Sequence, residues 1–336
     1  MRLVKSKRLS IIIPLYNSEK YILKCLNSIL EQDVPLEDYE IILVNDGSPD
    51  RSKELAKEFA SRYPNIVVLS QENRGTSGAR NTGIRYATGN YLYFIDPDDY
   101  ILKNSLADIL NKVEQESLDV LRFGYIEVDE NYHHTRSCKN VEQPDYSSEL
   151  MDGCSFMAKR LGIACYVWTY LFRTQLIKNN SLYFTEGVYF DDTPWLPQVL
   201  IHAKRVDSID IKRHFYLIRN TSLVQAKDSI AIRKKINGQK YLITELREQM
   251  SRVRNDGAIL WYQRMITHCV ITLLTLAAQQ DKYEVDSCIS FISSQKVLPL
   301  SGKSVNKEIR FKQAMINLSP NMFCGIIRLK TKIRLF

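Results

Sequence analysis

Apolar residues in the first hundred positions occur in short continuous runs, and a helical pattern of apolar positions follows each of the first three runs. The runs lie at Leu9–Leu15, Glu40–Asn45, Ile66–Ser70 and Tyr91–Ile95. Runs of this length, rich in branched and aromatic residues, are typical of buried strands. Because strands and helices alternate, the pattern predicts an α/β fold with a mostly parallel sheet flanked by helices.

Polar residues collect just after the predicted strands or in the helices that follow them. They are Tyr16, Asn17, Asp46, Asn73, Arg80, Asp96 and Asp98. In open α/β sheets, ligands bind outside the carboxyl ends of the strands. We therefore expect these side chains to lie along one edge of the sheet.

The segment Asp96-Pro97-Asp98-Asp99 contains the strongest candidate chemistry. Pro97 cannot continue a central strand, so the acids follow its carboxyl end. Asp96 and Asp98 are spaced so that both can face one hard cation or a ribose-phosphate group. Carboxylate oxygens suit Mg²⁺ or Mn²⁺, which are usually held by one or two carboxylates plus substrate phosphates. Taken alone, the segment is better interpreted as an acidic turn that caps the next helix, because so short a motif is not specific.

The second half of the chain continues with less regular patterns. A helix is predicted near 104–116 and a strand near 119–128, and helical periodicity dominates 230–250 and 259–278. The apolar run Met265–Ala278 is too short to span a bilayer. Together with the absence of a signal-peptide pattern and of paired cysteines among the seven in the sequence, this predicts a cytoplasmic protein with reduced thiols.

The net charge of +8 is concentrated at the C-terminus. Residues 301–336 carry eight bases and one acid, Glu308. Such a tail suits anionic lipid headgroups or nucleic acid, but aromatic residues interleaved on a basic sheet face are lacking, so we expect no nucleic-acid partner. From Phe323 onward, basic and apolar residues alternate, a poor pattern for an amphipathic helix. The tail is either an interfacial segment, peripheral on the inner face of the membrane, or a solvated basic end.

Four segments together resemble the nucleotide-binding half of a family 2 inverting glycosyltransferase with the GT-A fold. They are Ser10–Asn17, Val44–Ser48, Asn73–Asn81 and Phe94–Asp99. A dinucleotide-binding Gly-x-Gly-x-x-Gly after the first strand and a P-loop are both missing from the sequence, which agrees with a nucleotide held by carboxylates and a metal.

The resemblance implies a role for each matching residue. Residues that border the base of a UDP-sugar, or fix its ribose and diphosphate, are Pro14, Tyr16, Asp46, Asn73 and Arg80. Asp96 would contact the ribose or the metal, and Asp98 would bind a Mg²⁺ or Mn²⁺ ion that bridges the diphosphate. Intrinsic preferences favour capping and turn roles for Asn17, Asp50 and Asp99, with Asp99 capping a helix that begins near Tyr100.

Two later blocks, Trp168–Arg173 and Phe184–Asp192, resemble the acceptor-side motifs of bacterial family members. The resemblance makes Asp192 the preferred catalytic base, with Asp191 as its alternative; the two acids could also simply cap a helix. His214–Ser222 resembles the family's loop that closes over the diphosphate, in which Arg219 would pair with phosphate oxygens and Ser222 would donate a hydrogen bond. For His214 we expect a structural role in preference to metal binding.

The expected protein is therefore a metal-dependent glycosyltransferase with a GT-A domain at 1–225 and a mainly helical extension at 226–336. Within the domain, 1–100 would bind the nucleotide and 101–225 the acceptor. The donor would be a nucleotide sugar, and the acceptor a saccharide or lipid-linked saccharide in capsule, O-antigen or exopolysaccharide biosynthesis. The alternative is a non-catalytic nucleotide-sugar-binding assembly subunit with the same fold.

Overall fold

The computed structural model describes residues 6–135, 148–219, 228–302 and 306–333. These residues fall into two compact units. The first lies within 1–156, 164–187 and 195–220, and the second within 157–163, 188–194 and 221–336. The predicted domain boundary at 225 remains a prediction.

The first unit is built on one eight-stranded sheet. Its strands are β1 (Leu9–Leu15), β2 (Tyr39–Asp46), β3 (Ile66–Gln71), β4 (Tyr91–Phe94), β5 (Tyr100–Ile101), β6 (Val120–Val128), β7 (Tyr170–Arg173) and β8 (Val206–Leu217). Their order across the sheet is β3-β2-β1-β4-β7-β6-β8-β5. Strands β1 to β4 are mutually parallel, and β6 runs parallel to β8. Strand β7 lies antiparallel between β4 and β6, and β5 is antiparallel to β8, so the sheet is mixed.

Helices cover this sheet and complete its core. They are α1 (Ile22–Leu30), α2 (Ser52–Arg62), α3 (Gly75–Tyr86), α4 (Leu106–Gln115), α5 (Gly153–Lys159), α6 (Thr174–Asn179) and α7 (Asp192–His202), of which α5 and α7 lie only partly in the first unit. Short 3-10 helices occupy Leu36–Asp38 and Val167–Thr169. Helix α1 is an example of how a helix packs on this sheet. Its buried residues recur at helical spacing and face a core shared with β1 and β2.

Strand β1 runs one residue past Pro14, where we predicted its end. Every residue of β1 is buried, and Pro14 lies opposite Val44 of β2. On the other side, the pairing with β4 stops at Ile12 and Phe94. The missing N–H of Pro14 therefore interrupts no ladder on that side, which is why a central strand tolerates proline here.

The second unit contains five helices in its described part. They are α8 (Ser229–Arg252), α9 (Asp256–Ala277), α10 (Lys282–Ser294), α11 (Lys307–Leu318) and α12 (Pro320–Ile333). Four of them begin at an Asp or Asn whose side chain accepts a backbone N–H of the first turn: Asp228, Asn255, Asp281 and Asn306. The predicted helical C-terminal region is confirmed.

Helix α12 corrects our view of the C-terminal segment. The alternation of basic and apolar residues from Phe323 argued against a helix, yet the chain is helical to Ile333. Phe323 and Cys324 are buried, and the Cys324 thiol lies 3.8 Å from the backbone carbonyl oxygen of Leu274 in α9. Tertiary packing against α9 therefore overrides the local pattern.

Among the described residues, helix α9 alone is long and apolar enough to cross a membrane. Just over half of its most apolar window, 56%, is buried within the protein. A core helix of a folded domain has the same length and composition, so this criterion does not establish a membrane span.

Candidate active site

Asp46 stands at the carboxyl end of β2 and organises the loop that follows β3. Its Oδ1 accepts hydrogen bonds from Gln71 Nε2 (2.7 Å) and from the backbone N–H of Arg74 (2.9 Å). The side chain is buried, and no described residue hydrogen-bonds its Oδ2. The carboxylate is thus held in place through one oxygen, while the other remains available to a ligand.

The turn after β1 places Tyr16 at the surface, with half of its area exposed. Asn17 has a positive φ of 53°, and its N–H donates to Ser48 Oγ at 2.8 Å. Asn17 does not cap α1, because that helix begins after Tyr21 without a side-chain cap. Our expectation of a capping role for Asn17 is therefore wrong: its left-handed backbone instead turns the chain toward the loop of β2.

Asp50 has the turn role that we predicted. Its carboxylate accepts hydrogen bonds from the hydroxyls of Ser48 and Ser52 and from the N–H of Glu19. Burial acts to raise the pKa of Asp50, but these hydrogen bonds outweigh it and lower the pKa to about 2. Asp50 is therefore an ionised structural group that joins the ends of β1 and β2.

Helix α3 is fixed by contacts that the sequence did not reveal. Asn81 exchanges hydrogen bonds with the backbone of Phe184, at 2.9 Å from Nδ2 to the carbonyl and 2.8 Å from the N–H to Oδ1. Arg74 forms two parallel hydrogen bonds with Glu186, at 2.9 and 2.7 Å. Such bidentate pairs restrict orientation, so the segment at 184–186 locks the start of α3 beside Asp46.

Arg80 and Asp96 form an ion pair at the end of β4. Arg80 Nη2 donates to Asp96 Oδ1 at 3.0 Å. The Arg80 side chain is almost fully buried and its guanidinium lies 5.4 Å from the ring centroid of Phe184. The sequence placed both residues near the ligand. The structure shows that Arg80 is bound to Asp96, whose side chain is 28% exposed.

Asp98 pairs with Arg219, which follows β8. The Arg219 Nη2 and Asp98 Oδ2 atoms are 2.5 Å apart. The guanidinium also lies 5.0 Å from the ring centroid of Tyr21. Its Nε is buried and has no hydrogen-bond partner among the described residues. Other buried arginine Nε atoms, such as that of Arg213, likewise have no hydrogen-bond partner in the described part of the chain, so this orphan N–H of Arg219 is compatible with an acceptor from a ligand but does not by itself identify one.

The protonation of Asp98 is strongly perturbed. Burial, followed by the nearby charges of Asp99 and Asp96, raises its pKa to about 7, although Arg219 acts in the opposite direction. Carboxylates this close repel each other when they are ionised together, and a bound divalent cation reduces that repulsion.

Asp99 does not cap a helix, and that prediction is wrong. Residues 100–101 form β5, and the next helix begins at Leu106. Asp99 is buried instead, with Oδ2 at 2.8 Å from His214 Nε2 and Oδ1 accepting the N–H of Leu217 at 2.9 Å. The carboxylate therefore attaches the Asp96–Asp99 turn to β8.

His214 is buried between β4, β8 and the Asp96–Asp99 turn. Its Nδ1 lies 2.9 Å from the hydroxyl of Tyr93, and its ring stacks on Trp168 with centroids 4.6 Å apart. Burial lowers the pKa of His214 to about 3, so the ring is neutral and meets its two partners with one donor and one acceptor nitrogen. Neither nitrogen is available to a metal in this arrangement.

The donor set fits a metal that is completed by phosphate. The described residues contain no group of three or more His, Cys, Asp or Glu side chains arranged to hold an ion. Asp96 and Asp98 provide one or two carboxylates, which is the usual protein share of a Mg²⁺ or Mn²⁺ site that shares its ion with a diphosphate.

The remaining predicted residues are distributed as follows. Pro14 is buried within β1, and Asn73 is exposed, with its Oδ1 accepting the N–H of Gly75 at 3.3 Å. Asp191 and Asp192 belong to the second unit, and Asp192 is the first residue of α7. Ser222 lies outside the described residues.

The sequence matches the family model "Glycosyl transferase family 2" over residues 10–170. This range contains β1 to β4 and every carboxylate of the edge just described. Residues 10–170 are therefore similar to glycosyl transferase family 2, and the resemblance drawn from the four segments is confirmed.

Two known proteins that are similar to this chain are named as sugar transferases. The chain is 35% identical over 222 residues to the "uncharacterized glycosyltransferase EpsJ" of Bacillus subtilis, a match of 64% of this chain and 62% of the relative. It is 29% identical over 211 residues to the poly(ribitol-phosphate) beta-N-acetylglucosaminyltransferase TarS of Staphylococcus aureus, a match of 62% of this chain and 35% of TarS. The chain thus spans less than two thirds of either relative.

Solved structures confirm the GT-A fold. Residues 1–349 of S. aureus TarS, solved in complex with UDP, align with 96% of this chain and 89% of that one, at a TM-score of 0.68 and 19% identity. The mannosyltransferase PcManGT from Pyrobaculum calidifontis, solved with GDP-Man and Mn²⁺, aligns with 97% of this chain and 88% of that one, at a TM-score of 0.52 and 14% identity.

Proposed function

We propose that this protein transfers a sugar from a UDP-sugar to an acceptor hydroxyl, with inversion at the anomeric carbon, during the synthesis of a surface polysaccharide. The observation that carries the proposal is the pair of carboxylates at the end of β4, Asp96 and Asp98, each held by an arginine. A family 2 domain surrounds this pair. The TarS structure with UDP supports UDP as the nucleotide.

The donor would bind along the strand ends from β2 to β8. Asp46 would accept the ring N–H of uracil through Oδ2, with Tyr16 and Pro14 bordering the base and Asn73 nearby. Asp96 would contact the ribose or the metal, and Asp98 would hold a Mg²⁺ or Mn²⁺ ion together with the diphosphate. A divalent ion in this position neutralises the negative charge that grows on the leaving UDP.

Arg219 would change partner when the donor binds. Its orphan Nε–H offers a donor to a phosphate oxygen, and its bond to Asp98 holds the guanidinium close to the carboxylates before the donor arrives. Charge-assisted hydrogen bonds of this kind position a diphosphate. Ser222 would add a further hydrogen bond from the same segment.

Inverting transfer needs one general base on the acceptor side. We assign Asp192 to this role, with Asp191 as its alternative. A carboxylate that takes the proton of the attacking hydroxyl contributes about 10²- to 10⁴-fold to the rate.

A donor screen tests the proposal. Purified protein is incubated with a panel of UDP- and GDP-sugars, and release of the nucleoside diphosphate is measured with and without EDTA. We expect release from a UDP-sugar, loss of it in EDTA, and loss of acceptor-dependent turnover in Asp192→Asn. Release that continues in EDTA would exclude the metal role.

The competing function is a non-catalytic assembly subunit that binds nucleotide sugars. Binding of UDP, measured by calorimetry, without turnover of any donor in the screen would favour this alternative. The proposed general base Asp192 favours catalysis, because a subunit that only binds has no need for a general base.

We also propose contact with a membrane surface through α11 and α12. Their exposed apolar residues are Phe311, Leu318, Met322 and Leu329. Exposed bases Lys307 and Arg310 lie on the same helix as Phe311. Apolar and basic residues on one surface suit an anionic membrane. Co-flotation with phosphatidylglycerol vesicles, lost in a Phe311→Ser and Leu318→Ser double variant, is the expected result; equal flotation of the variant would exclude this surface.

A further inference from the structure

Asp46 and Gln71 are the last residues of two neighbouring strands in the first unit. Strands β2 and β3 are parallel, and these two residues are partners in their register. Side chains at paired positions of a sheet point to the same face. The amide nitrogen of Gln71 lies 2.7 Å from Asp46 Oδ1 and donates a hydrogen bond to it.

Helix α3 fixes the direction of this amide. The Thr82 hydroxyl donates to Gln71 Oε1 at 2.6 Å, so the amide oxygen is turned toward α3 and its NH₂ group toward Asp46. The reverse orientation would place the amide oxygen against a carboxylate oxygen, which is a contact between two acceptors.

Gly78 leaves room for this arrangement. It lies one helical turn before Thr82, on the same face of α3. A Cβ atom at Gly78 would be 2.5 Å from Arg74 Cβ and 3.4 Å from Gln71 Nε2. The start of α3 therefore packs directly against the groups that hold Asp46.

Asp46 meets these groups as a hydrogen-bond acceptor. Oδ1 receives the Gln71 amide and the backbone N–H of Arg74, and both are donors only. No described residue donates to Oδ2. An ionised carboxylate has no proton to give, so Oδ2 can pair only with a donor group of a ligand.

Nucleobases differ at the atom that such an oxygen would meet. Uracil and guanine carry a ring N–H on their base-pairing edge, whereas cytosine and adenine carry a nitrogen lone pair there. A lone pair against a carboxylate oxygen is repulsive and leaves a buried charged acceptor unpaired. A site built to bond a donor group strongly rejects an analogue that lacks it.

We propose that Gln71, oriented by Thr82, is a positioning residue that makes the nucleotide site selective for a base with a ring N–H. Gln71 acts through Asp46, the residue assigned above to the base, so this inference rests on the proposed function and adds a determinant of donor choice. The second donor on Oδ1 belongs to the backbone of Arg74 and survives side-chain substitution. Gln71 is therefore the contact of Oδ1 that a variant can remove.

The first measurement uses the wild-type chain. Calorimetry in the presence of Mg²⁺ compares nucleotides in two pairs of matched base size, UDP with CDP and GDP with ADP. We expect UDP to bind about 10- to 100-fold more tightly than CDP, the consequence of one lost hydrogen bond to a charged acceptor. Equal affinity for both members of the pair that binds would overturn the inference.

Gln71→Glu distinguishes a specificity role from a purely structural one. The introduced carboxylate can keep the bond from Thr82, but it must share a proton with Asp46, because two carboxylates so close do not ionise together easily. With the proton, the pair is arranged as in wild type; without it, the two charges repel. The charged side chains next to this pair, Arg74 and Glu186, are bound to each other.

The affinity of Gln71→Glu for UDP is compared with that of wild type at the same pH. We expect the two to agree within about 3-fold at pH 5.5 and to differ about 10-fold or more at pH 8.5. Gln175→Glu, at an exposed position on α6, is the matched control and should follow wild type at both pH values. A ratio for Gln71→Glu that does not change with pH would overturn the inference.

Gln71→Leu tests the same role without a new charge. Held by one bond, Asp46 can turn or take up a proton and so adapt to a lone pair. The preference for UDP over CDP should therefore fall about 3-fold or more. Equal weakening of both nucleotides would indicate a structural role only and would overturn the inference. The melting temperature of each variant shows that it is folded.

The four nucleotides also separate this inference from the proposed function. If UDP and CDP bind equally well, the selectivity assigned to Gln71 is wrong while the donor site stands. If GDP binds in place of UDP and ADP does not bind, the proposed donor is wrong and the inference stands. If none of the four binds, both are wrong.

Discussion

The strand ends of β1 to β4 and the half built on β6 to β8 use neighbouring aspartates in opposite ways. Asp98 belongs to the first region: it is partly exposed and pairs with an arginine that itself retains a free donor. Asp99, the next residue, belongs to the second region: it is fully buried and its oxygens bond His214 and the backbone of β8. One turn therefore carries both the carboxylate that we propose as a ligand group and a structural anchor.

The difference shows how a reactive carboxylate is kept in place. Burial and the charges of nearby carboxylates disfavour the ionised form of Asp98 and raise its pKa to about 7. The turn tolerates this because Asp99 fixes it to β8 independently. Asp99 in turn depends on the ring of His214, which Tyr93 and Trp168 hold from two directions. We expect substitutions in the first region to affect activity and substitutions in the second to affect stability.

The strongest test of this contrast is Asp98→Asn. We expect kcat/KM for the donor found in the screen to fall about 10²- to 10³-fold, because the substitution removes a charge that holds the metal against the leaving diphosphate. The melting temperature should stay the same or rise, since a buried like charge is removed. Asp286→Asn, an exposed position on α10, is the control and should change neither quantity.

His214→Phe should have the opposite profile. A phenyl ring preserves the stack on Trp168 but leaves Asp99 and the Tyr93 hydroxyl without a partner in a buried place. The expected loss in the free energy of unfolding is about 2–3 kcal/mol, measured by urea denaturation. His133→Phe, on an exposed turn, should remain within about 0.5 kcal/mol of wild type. Wild-type stability in His214→Phe would refute the anchoring role of this half.

A smaller effect should come from the titration of Asp98. Its pKa is about 7 in the folded chain, compared with 3.8 for an ordinary aspartate. Between pH 3.8 and pH 7 the folded state therefore holds a proton that the unfolded state has lost. Stability from this group is therefore present at low pH and is lost as the pH rises through 7.

Mn²⁺ with UDP should reverse that loss, because the ion replaces the proton. We expect the pair to raise the melting temperature by a few degrees more at pH 8 than at pH 6. Asp98→Asn should show no such difference between the two pH values. An equal shift at both pH values in wild type would mean that Asp98 does not bind the ion.

The sequence was most informative where the signal is local. The apolar runs of β1 to β4, the polar residues that follow them and the helical C-terminal region all appear in the structure, and the four motif segments predicted the family correctly. The turn role of Asp50 was also predictable from the sequence, because a short polar side chain hydrogen-bonds to groups within its own loop.

The sequence was least informative where the partner is distant in the chain. Asp99 looked like a helix cap because aspartate is a preferred capping residue, yet its partner is 115 residues away in β8. The same is true of Arg74 with Glu186 and of Asn81 with Phe184, whose separations exceed one hundred residues. No periodicity links such pairs, since only the order of strands in the sheet brings them together.

By itself, then, the sequence determined β1 to β4 and β6, the family resemblance and the identity of the acids at the edge of the sheet. It did so because burial and motif spacing act over a few residues. The tertiary structure alone decided which acid lies near solvent beside an arginine and which one anchors the turn. That choice depends on whether an aspartate meets Arg219 near solvent or His214 in the core.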